Sequence, residues 1–216
     1  ASSLAGQLQL IGAPGIYHPK NESFMQFQAS PGISGPSVWM ATVKNGRKFY
    51  YGESGAALLA NGNPSGGIKE WGLSRAVDLH GNEYRIFYTS DSQTDGVLYP
   101  DRIEYNGGVT VVRFTYGNRD DTLPTFQDGG ETHLRNLLTR IAIDMNGATV
   151  EDYSFDYEKG SPGRYRLKTI NRAGFDPLNV SYTTDTPSSP GGFARFIPDL
   201  NYLSWFIQAD GTRNNC

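Results

Sequence analysis

For most of its length the chain alternates apolar and polar positions in short runs that stop at turn residues. WMATV, from Trp39, is followed by KNG and then by RKFYY: an alternating strand, a turn tripeptide and an aromatic strand, which predicts a hairpin. The same order returns from Trp71, where WGLSRAV leads through DLHGN into EYRIFY, and Gly81 and Asn82 tolerate the positive φ such a turn requires. YPDRIEY, NGG and VTVVRFTY predict a third hairpin, with Asn106-Gly107-Gly108 the strongest turn signal in the chain. A fourth follows from Leu137 to Asp144, MNG, and Ala148 to Tyr157, and a fifth from YRLKTI and Leu178 to Tyr182.

One segment departs from the period of two. Glu131 to Leu138 follows Gly129-Gly130 and spaces Leu134, Leu137 and Leu138 for one face of a helix. Residues 1–37, rich in Gly, Pro and Ser with short alternating pieces around Phe24 to Gln28, read as an N-terminal edge segment. Residues 38–183 then form the β-hairpin sheet domain, and residues 184–192 a linker whose prolines cannot join a ladder. Residues 193–216 are a C-terminal tail with an apolar cluster of Tyr202, Leu203, Trp205, Phe206 and Ile207.

Two strands alone bury too little apolar area to stand in water, so successive hairpins must add to one another. The expected fold class is all-β: consecutive antiparallel hairpins forming a large curved sheet of about ten strands. Turn signals recur roughly every 30 to 40 residues, a loose array without the four strands per unit of a propeller blade. Composition strengthens this picture: 26 glycines supply turns, 27 aromatics (13 Tyr, 11 Phe, 3 Trp) supply strand formers, and only 19% of residues are charged.

A net charge of −3 offers no basic field for DNA or RNA, so no nucleic-acid partner is expected. No apolar run is long enough for a membrane span, and ASSLAGQLQL lacks the charged start and apolar run of a signal peptide, which predicts a soluble chain. Cys216 is the single cysteine; it excludes an internal disulfide and a cysteine zinc site and reads as an inert terminal thiol.

Candidate chemistry is sparse. His18, His80 and His133 lie far apart, outside any metalloprotein spacing, and His80 reads as a solvated turn residue. A glycosidase needs two carboxylates facing one another; Asp78, Asp120, Asp121, Asp152 and Glu158 are the available acids, and the sequence selects no pair. Asp120 and Asp121 read first as an arginine-paired corner after the strand that ends near Tyr116. NGNPSGG at 61–67 lacks the lysine and following helix of a phosphate loop, and DLNYLSWFIQAD lacks calcium-ligand spacing. No catalytic residue, cofactor site or metal site is assigned. The turn-flanking aromatics, Tyr50, Tyr51, Tyr84, Phe87, Tyr88, Tyr105, Phe114, Tyr116, Tyr153, Phe155 and Tyr157, suit cross-strand packing, and a sugar-stacking platform is the alternative.

Taken in order, HPKNESFMQF, W-x-A-T-V-K-N-G-R-K-F-Y-Y-G, W-G-L-S-R-A-V-D-L-H-G-N, YPDRIEYNGG, VVRFTYGNRDD, LLTRIAID and VEDYSFDYE resemble the SpvB and Tc-toxin B-component family, related to Rhs and YD-repeat shells. The resemblance runs from about His18 to Tyr182. It implies part of a β-sheet shell, a virulence-associated scaffold that encloses a toxic polypeptide, with other subunits or segments of a toxin complex as partners and a secreted or extracellular location. Trp71, Asp78, Gly81 and Asn82 match a shell-hairpin signature, and Arg119 with Asp120 an arginine and acidic pair; none is catalytic in the family. Members of that family are much longer. A carbohydrate-binding β module, or a carbohydrate-active enzyme on the same kind of sheet, is the alternative function, with a glycan as the possible ligand.

Overall fold

The structure is a computed structural model and describes residues 7–12, 14–32, 35–60, 67–127, 130–161 and 163–182. The linker, the tail and residues 61–66 of the NGNPSGG loop lie outside these. The chain divides into two compact units, Ala1–Ser154 and Phe155–Cys216.

The first unit is built strand after strand: β1 (Leu8–Leu10), β2 (Ile16–Pro19), β3 (Gln26–Ser30), β4 (Val38–Thr42), β5 (Lys48–Tyr51), β6 (Leu58–Ala60), β7 (Ile68–Trp71), β8 (Leu73–Val77) and β9 (Glu83–Tyr88). A five-residue helix, α1 (Asp91–Asp95), then precedes β10 (Pro100–Tyr105), β11 (Thr110–Asn118), β12 (Thr125–Gln127), β13 (Gly130–Thr132) and β14 (Asn136–Met145). β15 (Ala148–Lys159) begins in the first unit and ends in the second, which continues with β16 (Tyr165–Arg172) and β17 (Leu178–Asn179). The fold is all-β as expected, with thirteen strands in one antiparallel sheet ordered β1-β2-β3-β4-β5-β8-β9-β10-β11-β14-β15-β16-β17. Two short hairpins, β6–β7 and β12–β13, branch from it.

All five hairpins read from the alternation pattern form. Their turns use the expected residues: Gly46, Gly81, Gly107, Gly108 and Gly147 have positive φ, as do Asn106 and Asn146. Asp78 closes the β8–β9 turn by accepting from the backbone N–H groups of His80 (2.8 Å) and Asn82 (2.9 Å) and from the Asn82 amide (2.8 Å).

Two sequence expectations are corrected. Glu131–Leu138 is not helical: Glu131 lies in β13 opposite Phe126, and Leu137 and Leu138 lie in β14 opposite Gly117 and Tyr116. Eight residues are too few for a stable isolated helix, whereas β12 takes the start of the segment, the long β11–β14 ladder its end, and Asp95 and Arg119 bond the residues between. Trp71 does not open the β8–β9 hairpin; it ends β7, paired with Leu58, and the chain bends at Gly72 before β8. A Cβ at Gly72 would lie 2.8 Å from the Tyr88 ring and 2.9 Å from Leu98, so only glycine lets the backbone pass there.

Buried residues gather where these insertions meet the sheet: Ala57, Leu59, Ser92, Asp95 and Tyr99 are almost fully covered. Elsewhere in the first unit the covered apolar positions are Ala41, Ala76, Ala142 and Val111, while most of the large side chains around them stay half-exposed.

Candidate functional site

Directly opposed residues in an antiparallel pair share a face, so the register sorts the side chains of the first unit. One row runs Phe27, Ala41, Phe49, Ala76, Tyr84, Tyr105, Thr110, Met145, and the next on the same face includes Ile86, Ile103, Val112 and Ile143. The other face carries Gln28, Met40, Tyr50, Arg75, Arg85, Glu104, Val111, Asp144 and Thr149, then Phe87, Arg102, Arg113, Ala142 and Asp152. The first face is mainly apolar up to Ile143, which faces Glu151, and the second carries the arginines and acids between apolar positions such as Met40, Val111 and Ala142.

Register sets like charges opposite one another on the charged face, Arg75 against Arg85 and Arg102 against Arg113, and acids interleave to offset the repulsion. Arg75 donates to both Glu53 oxygens (3.0 and 2.7 Å), Arg102 to Glu104 (2.6 Å) and Asp101 (2.8 Å), and Arg113 to Asp144 (2.8 Å). Arg140 donates to both Asp152 oxygens, at 2.7 and 2.6 Å. The Arg140 fork holds the Asp152 carboxyl below its ordinary range, and the Thr149 hydroxyl, then Arg113, does the same for Asp144. Burial raises Tyr88 and Tyr116 to about 12.

The acids singled out as possible catalytic groups are placed individually. Asp78 sits in its turn, where the Asn82 amide lowers its pKa. Asp121 takes a two-pronged bond from Arg119 (2.6 and 2.8 Å) as the corner after β11, so the arginine of the shell signature pairs with Asp121 as well as lying beside Asp120. Glu158 accepts from Arg166 at 2.7 Å. A general acid for neutral pH needs a raised pKa; Asp78 and Asp152 are shifted the opposite way. His80 is exposed in its turn and His133 pairs with Glu131 at 3.0 Å. Among the described residues no group of three or more His, Cys, Asp or Glu could hold a metal ion, and no helix is long and apolar enough to cross a membrane.

The matching tryptophan is a structural pin. Trp71 donates its indole N–H to the Pro36 carbonyl at 3.1 Å and packs edge-on to Trp39, which packs in turn on Tyr17. Several other rings have one face taken by a cation: Arg75 lies 3.8 Å from the Tyr50 centroid, Arg102 3.8 Å from Phe87 and Arg172 3.9 Å from Phe175. Tyr50 with Arg75 and Phe87 with Arg102 are cross-strand pairs, whereas Arg172 and Phe175 belong to one turn.

One polar cluster escaped the sequence reading. Asp95, at the end of α1, accepts from the Tyr99 hydroxyl (2.8 Å) and the Arg135 guanidinium (2.8 Å), while the Ser92 hydroxyl accepts from the Tyr99 N–H (2.9 Å). The His133 N–H donates to the Asp95 carbonyl (2.8 Å), so α1 is tied to the segment between β13 and β14. Burial, then the Asp95 bond, raises Tyr99 to about 12. The cluster's sequence signal was Asp91 at the start of DSQTD and Gly96 after it, the acidic first turn and left-handed cap (φ 67°) of a short helix.

The charged face also carries a shallow groove of about 490 Å³ lined by Gln28, Ser30, Val38, Met40, Tyr50 and Glu53. Alternation on β3, β4 and β5 places Gln28, Met40 and Tyr50 in one row and Ser30 and Val38 in the next.

No protein-family model and no curated protein matches the chain. Solved structures that share its fold include two toxin-related ones. The N-terminal domain of effector protein SpvB from Salmonella typhimurium strain LT2 aligns with a TM-score of 0.63 at 16% identity, over 74% of this chain and 69% of that one. TcdB2-TccC3 aligns with a TM-score of 0.60 at 16% identity, over 83% of this chain, which spans only 13% of the length of that one.

Proposed function

We propose that this chain is a non-enzymatic scaffold segment of a toxin-type β-shell, exported from a bacterium and assembled with other subunits or segments of a toxin complex. The observation that carries the reading is the division of the sheet into an ion-paired face and an apolar face whose large side chains are half-exposed. A wall needs one surface for water and another for packing or enclosure. The ordered signatures, and the fold shared with effector protein SpvB and TcdB2-TccC3, agree with such a role. The domain plan of edge segment, sheet, linker and tail belongs to the same proposal.

A direct test combines a native mass measurement with a dye that reports exposed apolar surface and an activity screen against glycosides, esters and peptides. A scaffold segment binds the dye strongly and turns nothing over. A monomer that binds no dye and hydrolyses one substrate class with a defined pH optimum overturns the reading.

A further inference from the structure

We infer that the groove on β3, β4 and β5 is a binding site for a neutral oligosaccharide. Three features converge on that chemistry. First, the floor is mixed in the way a pyranose is mixed: Val38 and Met40 give an apolar patch and Tyr50 a ring, while Gln28, Ser30 and Glu53 bring amide, hydroxyl and carboxylate groups around it. Sugar C–H faces pack on the former, and hydroxyls, each both donor and acceptor, bond to the latter.

Second, the site carries no net charge to recruit an ion. Both Glu53 oxygens are held by Arg75, and the same guanidinium lies over the Tyr50 ring, so the acid, the base and the aromatic form one preassembled unit. A carboxylate with two arginine bonds keeps lone pairs for a hydroxyl donor, whereas an unpaired cation, which an anionic ligand would need, is lacking among the lining side chains.

Third, its dimensions fit. Three adjacent strands give a width of about 10 Å and one i to i+2 step a length of about 7 Å, room for a sugar ring with neighbours running out over the open sides. At about 490 Å³ the groove lies within the usual range for small-ligand sites, and its shallowness suits a chain of sugars rather than an enclosed metabolite. Five of the six lining residues occupy ladder positions and Glu53, just past β5, is held by Arg75, so the site is formed before the ligand arrives. Binding here goes beyond the scaffold role and does not depend on it, because the groove is on the charged face.

The experiment titrates the whole chain with cellohexaose, chitohexaose, maltohexaose and a heparin-derived hexasaccharide by calorimetry and by NMR. At least one neutral hexasaccharide is expected to bind, with shifts centred on Gln28, Met40 and Tyr50, and the sulfated one to bind more weakly. Tyr50→Leu keeps an apolar side chain but loses the ring and should weaken binding about threefold to tenfold; Gln28→Ala, at an exposed position, should do so by a similar factor. Unchanged thermal unfolding of the Gln28→Ala variant keeps the result interpretable if Tyr50→Leu loosens the sheet. No binding by any neutral hexasaccharide at millimolar concentration, or binding that Gln28→Ala leaves unaltered, overturns the assignment.

Discussion

Tyr99 shows how much a single buried group can organise. Its hydroxyl donates to the almost fully covered Asp95 and accepts from the Arg135 backbone N–H at 3.1 Å, so one oxygen joins α1 to the segment that leads into β14. Tyr99→Phe is expected to destabilise the protein by about 1 to 3 kcal/mol, because the buried Asp95 carboxylate loses the shorter donor to its Oδ2, which keeps only the long 3.4 Å bond from the Arg135 N–H; urea unfolding would show the midpoint fall with the slope unchanged. Gly72→Ala should cost a similar amount, about 1 to 3 kcal/mol, by forcing a methyl group against the Tyr88 ring and Leu98. Relief of that loss by a second change, Leu98→Ala, measured in a double-mutant cycle, would locate the clash. Neither position was legible in the sequence. Tyr99 looked like the first residue of a strand and Gly72 like part of one, and both acquire their roles from side chains distant along the chain.

At the scale of elements, local chemistry was readable wherever it was sufficient. The Asn and Gly turns and period-two runs located β4–β5, β8–β9, β10–β11 and β14–β15, since such turns fix the pairing of their flanking strands. Leu134, Leu137 and Leu138 misled because helical spacing is satisfied by chance in eight residues, and pairing with β11 outweighs it. The ladders also set the pH limits. Asp78, Asp144 and Asp152 have folded-state pKa values below their ordinary range, so they favour the fold above the unfolded value and that contribution disappears as pH falls through the lowered ones. Stability should therefore drop below about pH 4, and Asp152→Asn should flatten this acid limb in circular dichroism melts. Tyr88, Tyr99 and Tyr116 act in the other direction: raised to about 12, they favour the fold below their unfolded value near 10 and lose that contribution as pH climbs from there through about 12. Tyrosinate absorbance rising together with loss of structure in that window is the expected signature.

For the whole molecule, the register of the first unit has a consequence that no single hairpin displays. Along the central rows from β3 to β14 the pairing keeps alternation in phase, and bulges at Tyr50/Tyr51, Pro100/Arg102 and Thr115/Tyr116 end those rows, so that a local period of two becomes two surfaces of differing chemistry across the middle of the sheet. The candidate groove was illegible in the sequence for the same reason: Gln28, Met40 and Tyr50 meet only through register. If the apolar surface exists for packing against further protein, a charge placed in its middle should alter association far more than folding. Ile103 lies between Ile86 and Val112 and is only half-buried. Ile103→Glu forfeits two cross-strand contacts, about 0.2 to 1 kcal/mol each, and the carboxylate retains access to water. The variant should keep its circular dichroism spectrum, bind less apolar dye and remain monomeric at concentrations where the parent chain associates. An equivalent change on the charged face, Arg85→Glu, should leave dye binding and association as they were. If both substitutions act alike, the two faces are not functionally distinct and the wall reading fails; if only Ile103→Glu acts, the apolar face is the surface that meets another protein.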